Sequence, residues 1–194
     1  MECIVLDAMG VIFEAADDVT QLLIPFICDN NGETRAEIIE AAYMEASLGQ
    51  ISADEFWRRG KLDSSLEEQY LSRHSLTPGV FEFLQTAAGM KIPVWCLSND
   101  IGRWSSKLRK SLGIESLLAG SVISSDVGIR KPDPGIYEHL LEQCRFRADQ
   151  LLLIDDREKN VDAAIALGIN AVRFRNFGEI LGSIHQANTN KDKG

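Results

Sequence analysis

The sequence predicts an α/β protein: a doubly wound parallel sheet with a small helical cap inserted after its first strand. Three observations predict it. Apolar runs of strand length alternate with helical patterns, each run ends at a polar cluster, and a long all-helical stretch separates the first run from the second.

The first run, Cys3 to Phe13, is CIVLDAMGVIF. Its apolar residues stop at Asp7, and Gly10 permits a sharp turn before the chain becomes apolar again. This reads as a buried parallel strand delivering Asp7 to its carboxyl end, where open α/β sheets bind ligands. The pattern then turns helical, over Asp18 to Cys28, Thr34 to Ser47, Ser52 to Gly60 and Ser64 to His74. Thr34 with Glu37 and Ser52 with Glu55 have capping-box spacing, and Asn31-Gly32 and Leu48-Gly49 punctuate the joins. Thr77-Pro78-Gly79 opens a helix to Ala88, with the proline at its start. A strand from Ile92 to Leu97 runs into Ser98-Asn99-Asp100, and Gly102 to Leu112 is helical. Ser121 to Ile123 reads as a short strand, and the loop through Lys131-Pro132-Asp133-Pro134 enters a helix, Gly135 to Cys144. The strand Leu151 to Ile154 ends at Asp155-Asp156; a helix, Glu158 to Leu167, and a last strand, Ala171 to Phe174, follow. From Gln186 the tail is polar and expected to fray.

Strands alternating with helices imply right-handed crossovers and a Rossmann-like sheet. The core domain is then 1–14 and 75–194, and the cap 15–74. Asp7, Ser98 and Asp155-Asp156 converge along one edge of such a sheet, with Lys131 arriving from a loop on the same side.

A chain of 194 residues with 45% hydrophobic and 25% charged residues buries one substantial core. No apolar run approaches the roughly 18 residues of a membrane span. The chain enters its first strand without a basic leader or cleavage site, so a cytoplasmic location is expected. Cys3, Cys28, Cys96 and Cys144 lack metal or redox spacing and read as reduced, buried residues. A net charge of −9 argues against a nucleic-acid partner. A small phosphorylated ligand stays compatible, because a divalent cation held by carboxylates reverses the local field.

A carboxylate nucleophile, a hydroxyl, a lysine and an acidic pair suit phosphoryl transfer through an aspartyl-phosphate. Asp7 with the acidic pair would hold Mg²⁺, a cation that prefers oxygen ligands. Ser98 and Lys131 would bind the non-attacking phosphate oxygens, the lysine also screening Asp7 from an anionic substrate.

Asp7-Ala8-Met9-Gly10, Ser98-Asn99, Lys131-Pro132-Asp133 and Asp155-Asp156 through Asn160 resemble, in order and spacing, the four motifs of the haloacid dehalogenase-like (HAD) hydrolase superfamily. The resemblance covers nearly the whole chain, including a C1-type cap after the first motif. It is strongest to small-capped phosphatases acting on sugar 1-phosphates and to the N-terminal phosphatase domain of soluble epoxide hydrolases. It implies a Mg²⁺-dependent phosphatase acting on a small phosphorylated metabolite, with Asp7 as nucleophile and metal ligand. The Met9 backbone carbonyl, Asp155 and Asp156 would complete the metal site. Ser98, Asn99 and Lys131 would bind phosphate, with Gly10 and Asn160 supporting.

One position departs from the pattern. Most phosphatases of this family carry a second aspartate where this chain has Met9, and a thioether cannot transfer a proton. Losing a general acid costs about 10² to 10⁴ in rate. Asp100 and the cap residue Glu14 are the sequence candidates to replace it. The alternative readings are a regulatory, non-catalytic phosphate-binding protein and a 2-haloacid dehalogenase. Dehalogenases of the superfamily place tyrosine at the Met9 position and serine and asparagine at the acidic pair. Phosphonate cleavage would need a Schiff-base lysine, and the cap offers only Lys61.

Other conspicuous residues take structural readings. Phe56, Trp57, Tyr43 and Met44 are expected to pack the cap. His74, His139 and His185 have no partner spacing. Arg157, Glu158 and Lys159, and the basic face Arg103, Lys107, Arg109 and Lys110, are expected to be solvated, and Asp133 to pin the Lys131 loop.

Overall fold

The structure is a computed structural model that describes residues 1–182. Its five strands are β1 (Cys3–Leu6), β2 (Val94–Ser98), β3 (Gly120–Ile123), β4 (Leu151–Asp155) and β5 (Asn170–Arg173), all parallel, in the order β3-β2-β1-β4-β5. The expected Rossmann-like sheet is therefore present, and the chain reverses its winding beside β1. That reversal opens a crevice at the carboxyl ends of β1 and its neighbours.

Period-two alternation places Ile4 and Leu6 in one apolar layer and Cys3 and Val5 in the other. Helices α5 (Val80–Gly89) and α6 (Gly102–Ser111) cover the first layer through Phe83, Leu84, Trp104 and Leu108. Helices α8 (Pro134–Cys144) and α9 (Glu158–Ala166) cover the second through Ile136, Leu140 and Ala164. A short helix, α7 (Ser124–Val127), was not anticipated. Among the described residues no helix is long and apolar enough to cross a membrane.

The segment between β1 and α5 is helical, as expected. Its helices are α1 (Ile24–Asp29), α2 (Ala36–Ser47), α3 (Ala53–Arg59) and α4 (Glu67–Leu71). Its two ends run side by side, through a bridge between Phe13 and Leu76 and a 3.1 Å bond from the Glu14 N–H to the Ser75 carbonyl. Phe56 and Trp57 pack it from within, 5.5 Å apart and edge to face.

Several local expectations are corrected. The first helix of the insertion starts as a π-helical turn, Val19–Leu23, before α1. Ser64 to His74 divides into a 3-10 turn, Ser64–Leu66, and α4. Thr34 does not cap α2, which begins at Ala36 behind an extended Arg35, whereas Ser52 accepts the Glu55 N–H and does cap α3. Pro78 precedes α5, whose boundary residue is Gly79 at φ +86°. Asp133 caps α8 by accepting the Gly135 N–H. The basic face of α6 is not simply solvated: Arg103 and Lys107 reach the buried Glu67, and Arg109 is buried against Ser105 and Glu115. Met44 is 48% exposed rather than packed inside. The tail from Gln186, and His185, lie outside the described residues.

Candidate active site

Each cluster that ends a strand arrives at the same rim. Asp7 directly follows β1, Ser98 ends β2 and Asp155 ends β4, and β2 and β4 flank β1. Lys131 comes from the loop before α8. Asp7, Ser98, Asn99, Lys131, Asn160 and Met9 all line one cavity of about 250 Å³.

The lysine is the electrostatic centre. Its Nζ lies 2.7 Å from Asp7 Oδ1 and 2.7 Å from Asp155 Oδ2, and donates to the Leu97 carbonyl at 2.7 Å. All three ammonium donors are thereby engaged. Burial alone would depress this ammonium, but the charges of Asp7 and Asp155 outweigh it and hold its pKa above the usual lysine value. Burial pushes the Asp7 carboxyl up to about 7 against the pull of Lys131, with Asp155 and Asp156 adding to the rise. Burial also works to raise Asp155, yet Lys131, the Arg157 N–H and Asn160 bring it below the usual range. Asp156 is raised by burial and by the adjacent Asp155.

Asp7, Asp155 and Asp156 each offer an oxygen, all within 4.8 Å of one another, a spacing that could hold a metal ion. One observation fits that reading: Asp156 Oδ1 is buried without a hydrogen-bond partner. A buried oxygen left so is costly unless a cation or water meets it. Oxygen-only donors of this charge suit Mg²⁺. Gly10 makes room for the cluster, because a Cβ there would lie 2.6 Å from Asp156 Oδ2.

Of the three residues expected on phosphate, Ser98 alone has a free side-chain group, its buried Oγ having no partner. Asn99 is engaged by the Lys131 backbone on both sides, donating to the carbonyl at 2.9 Å and accepting the N–H at 2.8 Å. It fixes the lysine loop. Asn160 donates to both oxygens of Asp155, at 2.9 and 3.1 Å, and so sets that carboxylate's orientation.

Neither sequence candidate for the missing proton donor is on the cavity wall. Glu14 is exposed and accepts from Ser75 Oγ, and Asp100 is buried behind the wall, accepting from the Ile101 N–H. Sequence reading missed Asp18, Glu40, Arg130 and Arg157, all of which line the cavity. Arg157 also donates to the Ala16 carbonyl, in the segment after β1, at 3.1 Å. Tyr43 belongs to the wall too, its hydroxyl reaching the Asn99 carbonyl at 3.2 Å. Adjacency to a motif residue was the signal that could have found two of them, Arg130 beside Lys131 and Arg157 beside Asp156.

A parallel sheet whose switch point carries three carboxylates, two of them bridged by a lysine, defines an α/β protein with a built anion-and-cation crevice. The haloacid dehalogenase-like hydrolase family profile matches residues 1–168, and the chain belongs to that family. The chain is 28% identical over 140 residues to flavin mononucleotide hydrolase 1 of Arabidopsis thaliana, covering 69% of this chain and 57% of the relative. It is 26% identical over 147 residues to the phosphoglycolate phosphatase of Pectobacterium atrosepticum, covering 74% of this chain and 63% of the relative. The match thus spans less than two thirds of either relative's length. Among solved structures, the HAD family enzyme bt-2542 of Bacteroides thetaiotaomicron, in complex with magnesium and inorganic phosphate, superposes with a TM-score of 0.77 at 18% identity, covering 91% of this chain and 95% of the other. That likeness concerns the fold.

Proposed function

We propose that this protein is a Mg²⁺-dependent phosphatase that hydrolyses a small phosphorylated metabolite through an aspartyl-phosphate on Asp7. The observation that carries the reading is the cluster of Asp7, Asp155 and Asp156, tied through Asp7 and Asp155 to Lys131, with Asp7 and Lys131 on the cavity wall. Two similar proteins named for hydrolysing phosphate esters support it.

In this reading Asp7, Asp155, Asp156 and the Met9 backbone carbonyl hold the cation. When bound, Mg²⁺ supplies the positive charge that lets an anionic ester approach an anionic nucleophile. Lys131 neutralises and orients Asp7, and the Ser98 hydroxyl donates to a phosphate oxygen. Asp7 attacks phosphorus, the ester oxygen leaves with the bonding pair, and water then cleaves the aspartyl-phosphate to restore the carboxylate. The segment 15–74 acts as the cap over a core of 1–14 and 75–194, and supplies Tyr43, Met44 and Val19 to the substrate.

The test is release of phosphate from p-nitrophenyl phosphate and a panel of phosphorylated metabolites, with Mg²⁺ and with EDTA, using Asp7→Asn as the blank. Mg²⁺-dependent release absent from Asp7→Asn supports the reading. Phosphate binding without turnover on any ester would instead identify a regulatory binding protein, and halide release from a 2-haloacid would identify a dehalogenase.

A further inference from the structure

The cavity wall carries three carboxylates besides Asp7: Asp17, Asp18 and Glu40. Asp17 and Glu40 are exposed, and Asp17 Oδ1 accepts the Thr20 N–H. Asp18 is different, being 5% exposed. It stands at the start of the π-helical turn, where aspartate commonly caps, yet its side chain caps nothing. Local chain geometry therefore gives no account of why a carboxylate is buried there.

The tertiary surroundings give one. Tyr70 donates its hydroxyl to Asp18 Oδ2 at 3.3 Å, and His74 Nε2 lies 3.9 Å from the same oxygen. His74 is itself held, its Nδ1 3.1 Å from the Leu71 carbonyl and its ring edge-on to Tyr70 and Phe13. His74 Nε2 has no other partner. Two side chains from the returning end of the cap thus back one oxygen of Asp18, while no described hydrogen bond engages Oδ1. This is how a general acid is held: a buried carboxylate, oriented from behind, on the wall of the space where the leaving group sits.

We infer that Asp18 is the general acid and base of this cavity, taking the task that Met9 cannot perform. The inference rests on the phosphatase reading. As the bond between phosphorus and the ester oxygen breaks and its electron pair passes to that oxygen, the Asp18 carboxylic acid gives the oxygen its proton. The Asp18 carboxylate then takes a proton from the water whose oxygen bonds to phosphorus. The bond from phosphorus to Asp7 breaks, its electron pair returns to Asp7, and Asp18 is again protonated. Tyr70 and His74 are positioning residues. A cavity of about 250 Å³, below the roughly 300 Å³ at which drug-sized pockets begin, keeps the ester near both carboxylates.

The test compares kcat/KM, which reports the phosphoryl-transfer step, on p-nitrophenyl phosphate and on ethyl phosphate. Asp18→Asn is expected to lose about 10² to 10⁴ on ethyl phosphate, whose leaving oxygen must be protonated, and about tenfold or less on p-nitrophenyl phosphate. Loss by the same factor on both esters overturns the inference. Adding Met9→Asp to Asp18→Asn is expected to recover at least tenfold on ethyl phosphate, and no recovery also overturns it. Should Asp18→Asn fail to fold, Tyr70→Phe removes one donor and keeps the carboxylate. Losing that donor frees the carboxylate to turn from the leaving oxygen, so kcat/KM is expected to fall more on ethyl phosphate than on p-nitrophenyl phosphate; an equal fall on both overturns the inference. The groups that feel the Asp18 charge are Tyr43, Tyr70, Asp100 and Arg130, with His74 behind it, and all five are retained in an Asp18→Glu control. A wild-type protein without Mg²⁺-dependent turnover overturns the phosphatase reading and this inference together, a result distinct from a variant blind to the leaving group.

Discussion

Lys131 Nζ stands 2.7 Å from Asp7 Oδ1 and as close to Asp155 Oδ2, so one buried ammonium joins the first strand's carboxylate to the fourth strand's. Lys131 and Asp155 are at most 4% exposed and Asp7 is 7% exposed, so water does little to screen the attraction. One positive charge is thus shared by two carboxylates, with the third, Asp156, beside them.

Removing that ammonium leaves two buried carboxylates facing each other. Lys131→Met is expected to lower stability by about 3–5 kcal/mol in metal-free buffer, the usual cost of stranding a buried charge. Mg²⁺ should recover more of the loss in the variant than it adds to the wild type. Urea denaturation with and without Mg²⁺ measures both, and equal Mg²⁺ effects would separate the lysine from the metal cluster.

A second expectation concerns pH. The Asp7 carboxyl is raised from the ordinary 3.8 to about 7, chiefly by burial, so the folded protein keeps this proton where the unfolded chain has lost it. Its contribution to metal-free stability is therefore fully present below about pH 4 and is lost as pH rises through about 7. Mg²⁺ bound by Asp7 would displace the same proton, so apparent affinity should rise between pH 5.5 and 7 and then level off. Calorimetric Mg²⁺ titrations across that range check the sign. A flat affinity would count against Asp7 as a ligand.

Gly10 sits at φ +78° beneath Asp156. Gly10→Ala strains the backbone and pushes its Cβ against Asp156 Oδ2, so the carboxylate must swing from the cluster. We expect at least a tenfold weaker apparent Mg²⁺ affinity and about 1–2 kcal/mol of lost stability. Mg²⁺ activation curves and thermal unfolding report the two effects separately.

Glu67 in α4 joins the helical insertion to α6. It accepts from Trp57 in α3 at 3.1 Å and, in α6, from Trp104 at 2.7 Å, Arg103 at 2.6 Å and Lys107 at 2.8 Å. Burial opposes its charge, but these donors hold its pKa below the usual carboxylate value. Its contribution is present above the unfolded value of 4.5 and is lost as pH falls through the lower folded one. Glu67→Gln should cost about 2–3 kcal/mol near neutral pH, in line with losing hydrogen bonds to charged groups. The gap from wild type should close in acid, which denaturation at pH 7 and pH 3 would show.

The order of strands, the helical insertion after β1 and the meeting of Asp7, Ser98, Lys131 and Asp155 at one rim were legible in the chain. Buried strands read as apolar runs, and each functional residue interrupts or directly follows one, so local pattern and topology rules placed it. Helix ends were less legible. Thr34 has the right partner spacing but lies outside α2, because Glu33 folds back to bind Arg35 and Lys61.

What the sequence by itself determined is therefore the sheet and the motif residues, since these depend on alternation and spacing along one stretch of chain. Tertiary structure alone decided that Asn99 serves the lysine loop, that Glu67 anchors α6, and that Asp18 rather than Asp100 or Glu14 faces the cavity. Those outcomes depend on which side chains from distant segments surround a charged group. Burial and partners fix its role, and neither is a property of its neighbours in sequence.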